Sequence, residues 1–289
     1  MSLTQEQADA RKIGGSSAGT ILGINKFRTR HQEYLRMIGE EEPEDLSGNI
    51  HIHTGNLLEP VIAEILHDKG YLFDTGLEQD VHPRHEYITR TLDGIDGTDI
   101  HEIKTADTWM KKQFENGPIP MYNAQINHYA LWPGTSKMYL HVLFIPTEMK
   151  QMLFDVEFTD EQLYNICTGL ELRTFECEPD FMLQDYMLEQ YAEFMRHVEL
   201  KIPPPAQNMK ELTQMFMLSS PGAIPATDAD LRADTRMREI KGEIKDLEQE
   251  YTDNKFKICE KLGSAERLIS GDKTIRTWKT NKNGSRVFR

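Results

Sequence analysis

The chain has few cysteines, no long apolar run and no surplus of positive charge, and each shortage excludes something. Cys167, Cys177 and Cys259 are odd in number and lie in no CxxC or Cys/His spacing. Neither a disulfide framework, a zinc site nor an iron–sulfur cluster is therefore expected, and the three read as packing residues in a reducing compartment. No stretch approaches the roughly 20 apolar residues of a membrane span. The opening MSLTQEQADARK lacks the apolar core of a secretory signal. A soluble, cytoplasmic protein with no membrane partner is expected. Internal repeats are also missing, which argues against a solenoid.

With 289 residues, 38% of them hydrophobic, the chain has enough apolar side chain for one sizeable core or two modest ones without a covalent staple. Its net charge of −14 argues, as an average, against a polyanionic partner. The distribution weakens that argument. Residues 150–200 carry twelve acidic and three basic side chains, whereas 273–289 carry six basic ones and no acidic one.

Ser16 or Ser17 reads as the cap of a first helix, because Ala18, Ile21 and Leu22 follow at helical spacing. A second amphipathic stretch runs from Arg30 to about Met37, and the acidic EEEPEDLSGN after it reads as a loop. From Asn56 to Asp68 a buried helical stripe is predicted, with Glu59 in its first turn and Gly70 as its stop. Residues 86–93 alternate as a strand, and Asp96-Gly97 signals a hairpin loop that places Asp93, Ile100, Glu102 and Lys104 on one face. MYNAQINHYALW reads as a helix, KMYLHVLFIP and MLFDVEFT as strands, and 160–200 as helices. The predicted class is α/β, with a mixed central sheet flanked by helices. IPPPAQ and SSPGAIPATDAD mark a boundary near 205 and a linker over 206–228. Beyond it, 229–289 reads as a charged helix with a heptad seam at Met237, Ile240, Ile244, Leu247 and Tyr251, followed by a basic β-hairpin. In that hairpin Trp278 stands among Lys273, Arg276 and Lys279, which would suit base stacking with phosphate contact, or ordinary packing.

The chemistry concentrates in the first hairpin. Two carboxylates can hold a hard cation through oxygen, and Mg²⁺ takes few protein ligands while keeping its waters. A lysine beside metal-bound water eases the formation of hydroxide or stabilises charge as a phosphodiester is attacked. A strand Glu two residues before a Lys is common on solvated faces. Ile88, Ile100 and Ile103 instead predict a buried sheet, where an Asp, Glu and Lys cluster is costly unless it has a use. Glu59 can add another oxygen. Gln125 and Tyr129, four residues apart on one helical face with Tyr122 three before Gln125, form a polar stripe that could touch a strand of substrate.

The order Gly55…Glu59, Leu92-Asp93-Gly94, Glu102-Ile103-Lys104 and Gln125-xxx-Tyr129 resembles the PD-(D/E)xK nuclease superfamily, in particular its RecB-like, lambda-exonuclease (YqaJ-type viral recombinase) branch. Arg11 to Ala18, followed by Ile21-Leu22-Gly23, is similar to the opening of that branch, and Tyr122-Asn123-Ala124-Gln125 to its Tyr-x-Ala-Gln run. The resemblance covers about residues 11–145 and makes 1–205 the nuclease domain, with a restriction-endonuclease-like fold. It implies a metal-dependent DNA exonuclease of phage or prophage recombination. Asp93 and Glu102 would be metal ligands, assisted by Glu59 and the carbonyl of Ile103. Lys104 would aid the nucleophilic water, and Gln125 would orient water or substrate. Tyr129 would contact substrate.

Two Mg²⁺ or Mn²⁺ ions are implied, and no iron–sulfur cluster. Ser16, Arg11 and Arg28 would receive a 5′-phosphate, for which a hydroxyl and guanidinium groups beside a helix start are suited. Family members digest one strand of duplex DNA from its 5′ end, as trimeric rings, and pass the other strand to an annealing protein. This implies duplex DNA, an annealing protein and like subunits as partners, in the cytoplasm of a bacterial host. The sequence departs from the family in having Leu92 where a proline is usual and Ser17 where an acidic residue is usual. The same core also serves endonucleases, and a non-catalytic DNA-binding scaffold is a third reading.

Overall fold

A computed structural model describes residues 12–41, 48–218 and 221–289. It divides into two compact units, Met1–Met217 and Leu218–Arg289.

The first unit is built on a four-stranded mixed sheet in the order β3-β4-β5-β6 (Gly94–Asp96, Asp99–Asp107, Met138–Ile145, Glu171–Cys177). β4 and β5 are parallel, and β3 and β6 flank them antiparallel. A separate two-stranded ribbon pairs β1 (Asp80–Val81) with β2 (Thr89–Arg90). β5 is almost wholly buried, as a central strand covered on both faces should be. Side chains alternate across the sheet. Ile100, Met138, Leu140, Val142 and Phe144 pack in one cluster with Ile126, Tyr129 and Ala130, the latter two at the end of α4 (Pro120–Tyr129). Ile103, Leu143 and Ile145 pack in another with α3 (Ile50–Asp68), α5 (Thr147–Asp155) and α6 (Asp160–Thr168). A third cluster joins α1 (Gly15–Ile21) and α2 (Arg30–Ile38) to α7 (Phe181–Leu200). A short helix, α8 (Met209–Met215), follows. Local chemistry sets the helix ends. Thr29 and Gln32 form a reciprocal capping box on α2, and Gly39 closes it with φ of 77°.

The mixed α/β class is as expected, while several elements differ. The first helix starts after Gly14 rather than at a serine cap. α3 begins at Ile50, where the Asn49 side chain accepts from the amides of His51 and Ile52. Glu59 is therefore mid-helix, next to Pro60, and gains nothing from a helix start. Of the predicted strand over 86–93, Thr89–Arg90 pairs as β2 and Ile88 bridges Ile13. MLFDVEFT is not a strand: its first half is the end of α5, which stops at Asp155 and turns Lys150 and Leu153 inward three residues apart. The strand that follows β5 is β6, inside the stretch read as helical, where Leu172, Thr174 and Cys177 meet β5 residues. The EEEPEDLSGN loop falls largely outside the described residues.

The second unit holds α9 (Asp228–Leu262) and a sheet in the order β7-β8-β9 (Arg267–Ser270, Lys273–Thr280, Arg286–Phe288). The heptad positions from Met237 to Tyr251 form an exposed stripe. Gly271-Asp272 makes the expected turn, and the third strand adds to the predicted hairpin. Arg286 lies 3.7 Å over the Trp278 ring and donates to the carbonyls of Gly263, Ala265 and Trp278. Packing within the unit thus occupies Trp278. No helix among the described residues is long and apolar enough to cross a membrane.

Candidate active site

The hairpin loop fixes how the carboxylates meet. Asp96 pairs with Asp99, so the two loop residues are Gly97 and Thr98, one later than predicted. Gly97 has φ of 58°, and a two-residue loop with glycine first suits the twist of the strands. In this register Gly94 faces His101, and its continuation sets Asp93 opposite Glu102. Asp93 Oδ2 accepts from the Ile103 amide at 2.7 Å. Gly94 has no substitute here, because a β-carbon on it would lie 2.2 Å from the Phe73 ring.

Glu102 is the centre of the cluster. It is 2% exposed, its Oε1 accepts from Gln125 Nε2 at 2.6 Å and from Lys104 Nζ, and its Oε2 is buried with no hydrogen-bond partner. Burial pushes its carboxyl up to about 8, with the Lys104 charge pulling the other way and Asp93 adding to the rise. Burial also disfavours the charge on Lys104, but Glu102 and Asp93 override it and hold the ammonium above the usual lysine range. Gln125 Nε2 also donates to the Tyr129 hydroxyl at 2.9 Å. Burial, followed by the nearby Glu102, lifts the Tyr129 phenol above its usual range. Tyr122 is half-buried beside Lys104 and Glu102, and its phenol is raised chiefly by burial. Glu59 is an exposed residue of α3, yet partial desolvation and then the Asp93 charge raise its carboxyl, while Lys104 lowers it. It therefore belongs to the same field.

The arrangement brings together Glu59, Asp93, Glu102, Ile103, Lys104, Gln125 and Tyr129. Among the described residues no group of three or more His, Cys, Asp or Glu side chains forms a ready-made metal cage. Nevertheless, the donor set fits a hard divalent cation. Its oxygens are carboxylates, and the buried Glu102 Oε2 has no partner inside the protein.

Ser16 and Arg28 lie elsewhere, lining a cleft of about 470 Å³ together with Lys12, Thr20, Asn25 and Arg36. Arg11 lies outside the described residues. Sequence reasoning missed the cleft's buried carboxylate, Glu33, which is 2% exposed. Its spacing of three from Arg36 on one helical face was the available signal.

A hairpin of paired carboxylates and a lysine, faced by a glutamine from a helix, defines a mixed-sheet α/β domain with a candidate hydrolytic site. Residues 6–136 match the model of the YqaJ-like viral recombinase domain. The chain is 26% identical over 277 residues to the uncharacterized protein YqaJ of Bacillus subtilis (strain 168), covering 89% of this chain and 82% of that one. Among solved structures, an alkaline exonuclease from Laribacter hongkongensis is similar, with a TM-score of 0.49 and 18% identity, covering 73% of this chain and 97% of that one. A phage-related exonuclease from Haemophilus somnus 129PT is similar too, with a TM-score of 0.49 and 17% identity over 69% of this chain and 98% of that one.

Proposed function

We propose that the chain is a divalent-metal-dependent DNA exonuclease that hydrolyses one strand of linear duplex from its 5′ end in phage-type recombination. The observation that carries this reading is Glu102: a buried carboxylate opposite Asp93, with one oxygen held by Lys104 and Gln125 and the other unpartnered. The match of residues 6–136 to the YqaJ-like viral recombinase domain supports it.

Asp93 and Glu102 would hold the metal, with the Ile103 carbonyl and Glu59 completing its oxygen set, and two Mg²⁺ or Mn²⁺ ions are the proposed complement. Bound metal supplies a Lewis acid and lowers the pKa of water towards neutrality. The remaining work falls to the protein. Lys104 stays charged and stabilises negative charge gathering on the phosphate under attack. Gln125 fixes the Glu102 carboxylate through one N–H and leans on Tyr129 through the same nitrogen, so a single carboxylate geometry is held before substrate arrives. Tyr129 is 6% exposed and acts in this reading chiefly through Gln125. Ser16 and Arg28 line the cleft that would take a terminal 5′-phosphate. The proposed partners are duplex DNA, further copies of the chain in a ring, and a single-strand annealing protein, in the cytoplasm of a bacterial host.

The test is digestion of linear duplex carrying a 5′-phosphate on one end only, with Mg²⁺, by the wild type and Lys104→Ala. Loss of the phosphorylated strand with wild type alone is the expected result. Cutting of circular duplex would replace the reading by an endonuclease, and no cleavage with Mg²⁺ or Mn²⁺ by a DNA-binding scaffold.

A further inference from the structure

The N-terminal cleft is organised around a charge that the proposed reaction does not use. Glu33, on α2, is 2% exposed, and both of its oxygens are occupied. Oε1 accepts from Ser17 Oγ at 2.6 Å and from Arg36 Nη2 at 2.7 Å. Oε2 accepts from Arg28 Nε at 2.8 Å and from Arg36 Nε at 3.2 Å. Burial alone would raise this carboxyl, but the hydrogen bond and charge of Arg36, then Ser17 and Arg28, hold it below the usual range. The group is therefore an ion. Such a buried carboxylate persists only when its donors are fixed around it.

The two guanidinium groups that Glu33 holds line the cleft of about 470 Å³, as do Ser16, Thr20 and Asn25. Arg28 is fixed from several sides. Its Nη2 donates to the Gln32 carbonyl at 3.2 Å and to Glu41, and its backbone amide donates to Asn25 Oδ1 at 3.3 Å. Asn25 is fixed in turn through Thr20 Oγ1 at 2.8 Å. A guanidinium carries five N–H donors in a rigid plane, so fixing one edge on a carboxylate aims the rest. Two such planes beside an exposed serine hydroxyl match the tetrahedral oxygens and double charge of a phosphate monoester better than a diester in mid-strand.

We propose that Glu33 is a positioning residue that holds Arg28 and Arg36 in the orientation that receives a terminal phosphate monoester, and thereby sets the preference of the enzyme for phosphorylated ends. This rests on the reading of the chain as an exonuclease and adds the residue that sets its end specificity. Glu33 touches no substrate. It acts by determining where two cationic planes point.

The test compares binding of two duplex oligonucleotides that differ only in a 5′-phosphate or 5′-hydroxyl, measured by fluorescence anisotropy in EDTA with the full chain. Wild type should bind the phosphorylated duplex at least about tenfold more tightly, a step of about 1.4 kcal/mol. In Glu33→Gln that ratio should fall to within about twofold of one. Glu33→Asp, which keeps the charge, should retain an intermediate ratio, and it serves in place of the amide if that variant does not fold. In a background lacking both guanidinium groups, Arg28→Ala with Arg36→Ala, Glu33→Gln should lower the ratio no further. A merely structural role would weaken both duplexes together and leave the ratio intact, which would overturn the proposal. So would a wild-type ratio of one. Cleavage of linear duplex in Mg²⁺ is scored separately, so a chain that cuts DNA yet ignores the phosphate sinks this proposal and leaves the nuclease reading standing.

Discussion

The ring of Tyr129 fills the space into which a β-carbon on Gly15 would project, which would lie 2.4 Å from Cε1. The hydroxyl of the same tyrosine accepts from Gln125, whose amide nitrogen also reaches Glu102. α4 thereby connects the start of α1, which carries Ser16, to the buried carboxylate of β4.

That contact makes Gly15→Ala an overpacking change at backbone the ring cannot leave without moving Gln125. It should destabilise the fold by roughly 1–3 kcal/mol and lower kcat by displacing the glutamine. Tyr129→Phe keeps the ring and removes the hydroxyl, so it should cost about 1 kcal/mol or less while still lowering kcat. Urea midpoints and steady-state rates on linear duplex separate the two effects. Equal stability of Gly15→Ala and wild type would contradict the contact.

Lys104→Ala should lower kcat by about 10²–10³, the scale for losing one charge-stabilising donor, with a smaller change in KM. Lys104→Arg should recover little, because a planar guanidinium does not place a point charge where the ammonium stood. Near wild-type kcat in Lys104→Ala would remove the lysine from the chemistry.

Glu102→Gln preserves shape and removes the charge that a hard cation requires. Mn²⁺ binding, followed by calorimetry without DNA, should weaken at least about tenfold, or 1.4 kcal/mol. Asp93→Asn should act in the same direction. Unchanged Mn²⁺ affinity in both variants would show that the metal is held elsewhere.

The site was legible where chemistry and local pattern coincide. Asp93, Glu102 and Lys104 stand out because ionisable residues interrupt apolar alternation around Ile100 and Ile103, and burial of that strand follows from its neighbours. The turn was misplaced by one residue because Asp-Gly and Gly-Thr are both good loop pairs. Only the requirement for positive φ at the first position decides between them, and Gly97 meets it. Over 152–159 Met152, Phe154, Val156 and Phe158 alternate at period 2, and burial of Lys150 against Asp107 and His51, which helix geometry allows, could not be read from pattern. Glu33 escaped notice because its donors Ser17 and Arg28 come from outside its own helix.

Acid should weaken the fold through His128 before most carboxylates titrate. This ring is fully buried. Its Nε2 lies 2.8 Å from the Thr89 carbonyl and so must donate, which leaves Nδ1 to accept from the Tyr191 hydroxyl at 2.9 Å. Both nitrogens are satisfied by the neutral form. Burial pulls its pKa from 6.5 to about 4, opposed by the bond to Thr89 and assisted by His82 and Arg90. The unfolded chain therefore binds a proton between these two values that the folded chain refuses. Stability is complete above about pH 6.5 and declines as pH falls towards 4, by at most about 1.4 kcal/mol per unit. The hydrogen-bonded pair His101 and His141, lowered by burial to about 4 and about 3, adds in the same direction. Comparison of wild type with His128→Gln isolates the single residue, since glutamine does not titrate. The stability gap between them should shrink by about 2 kcal/mol from pH 7.5 to pH 5 in urea unfolding. A gap that stays constant with pH would mean that His128 is protonated equally in both states, against the hydrogen bonding that the folded chain gives it.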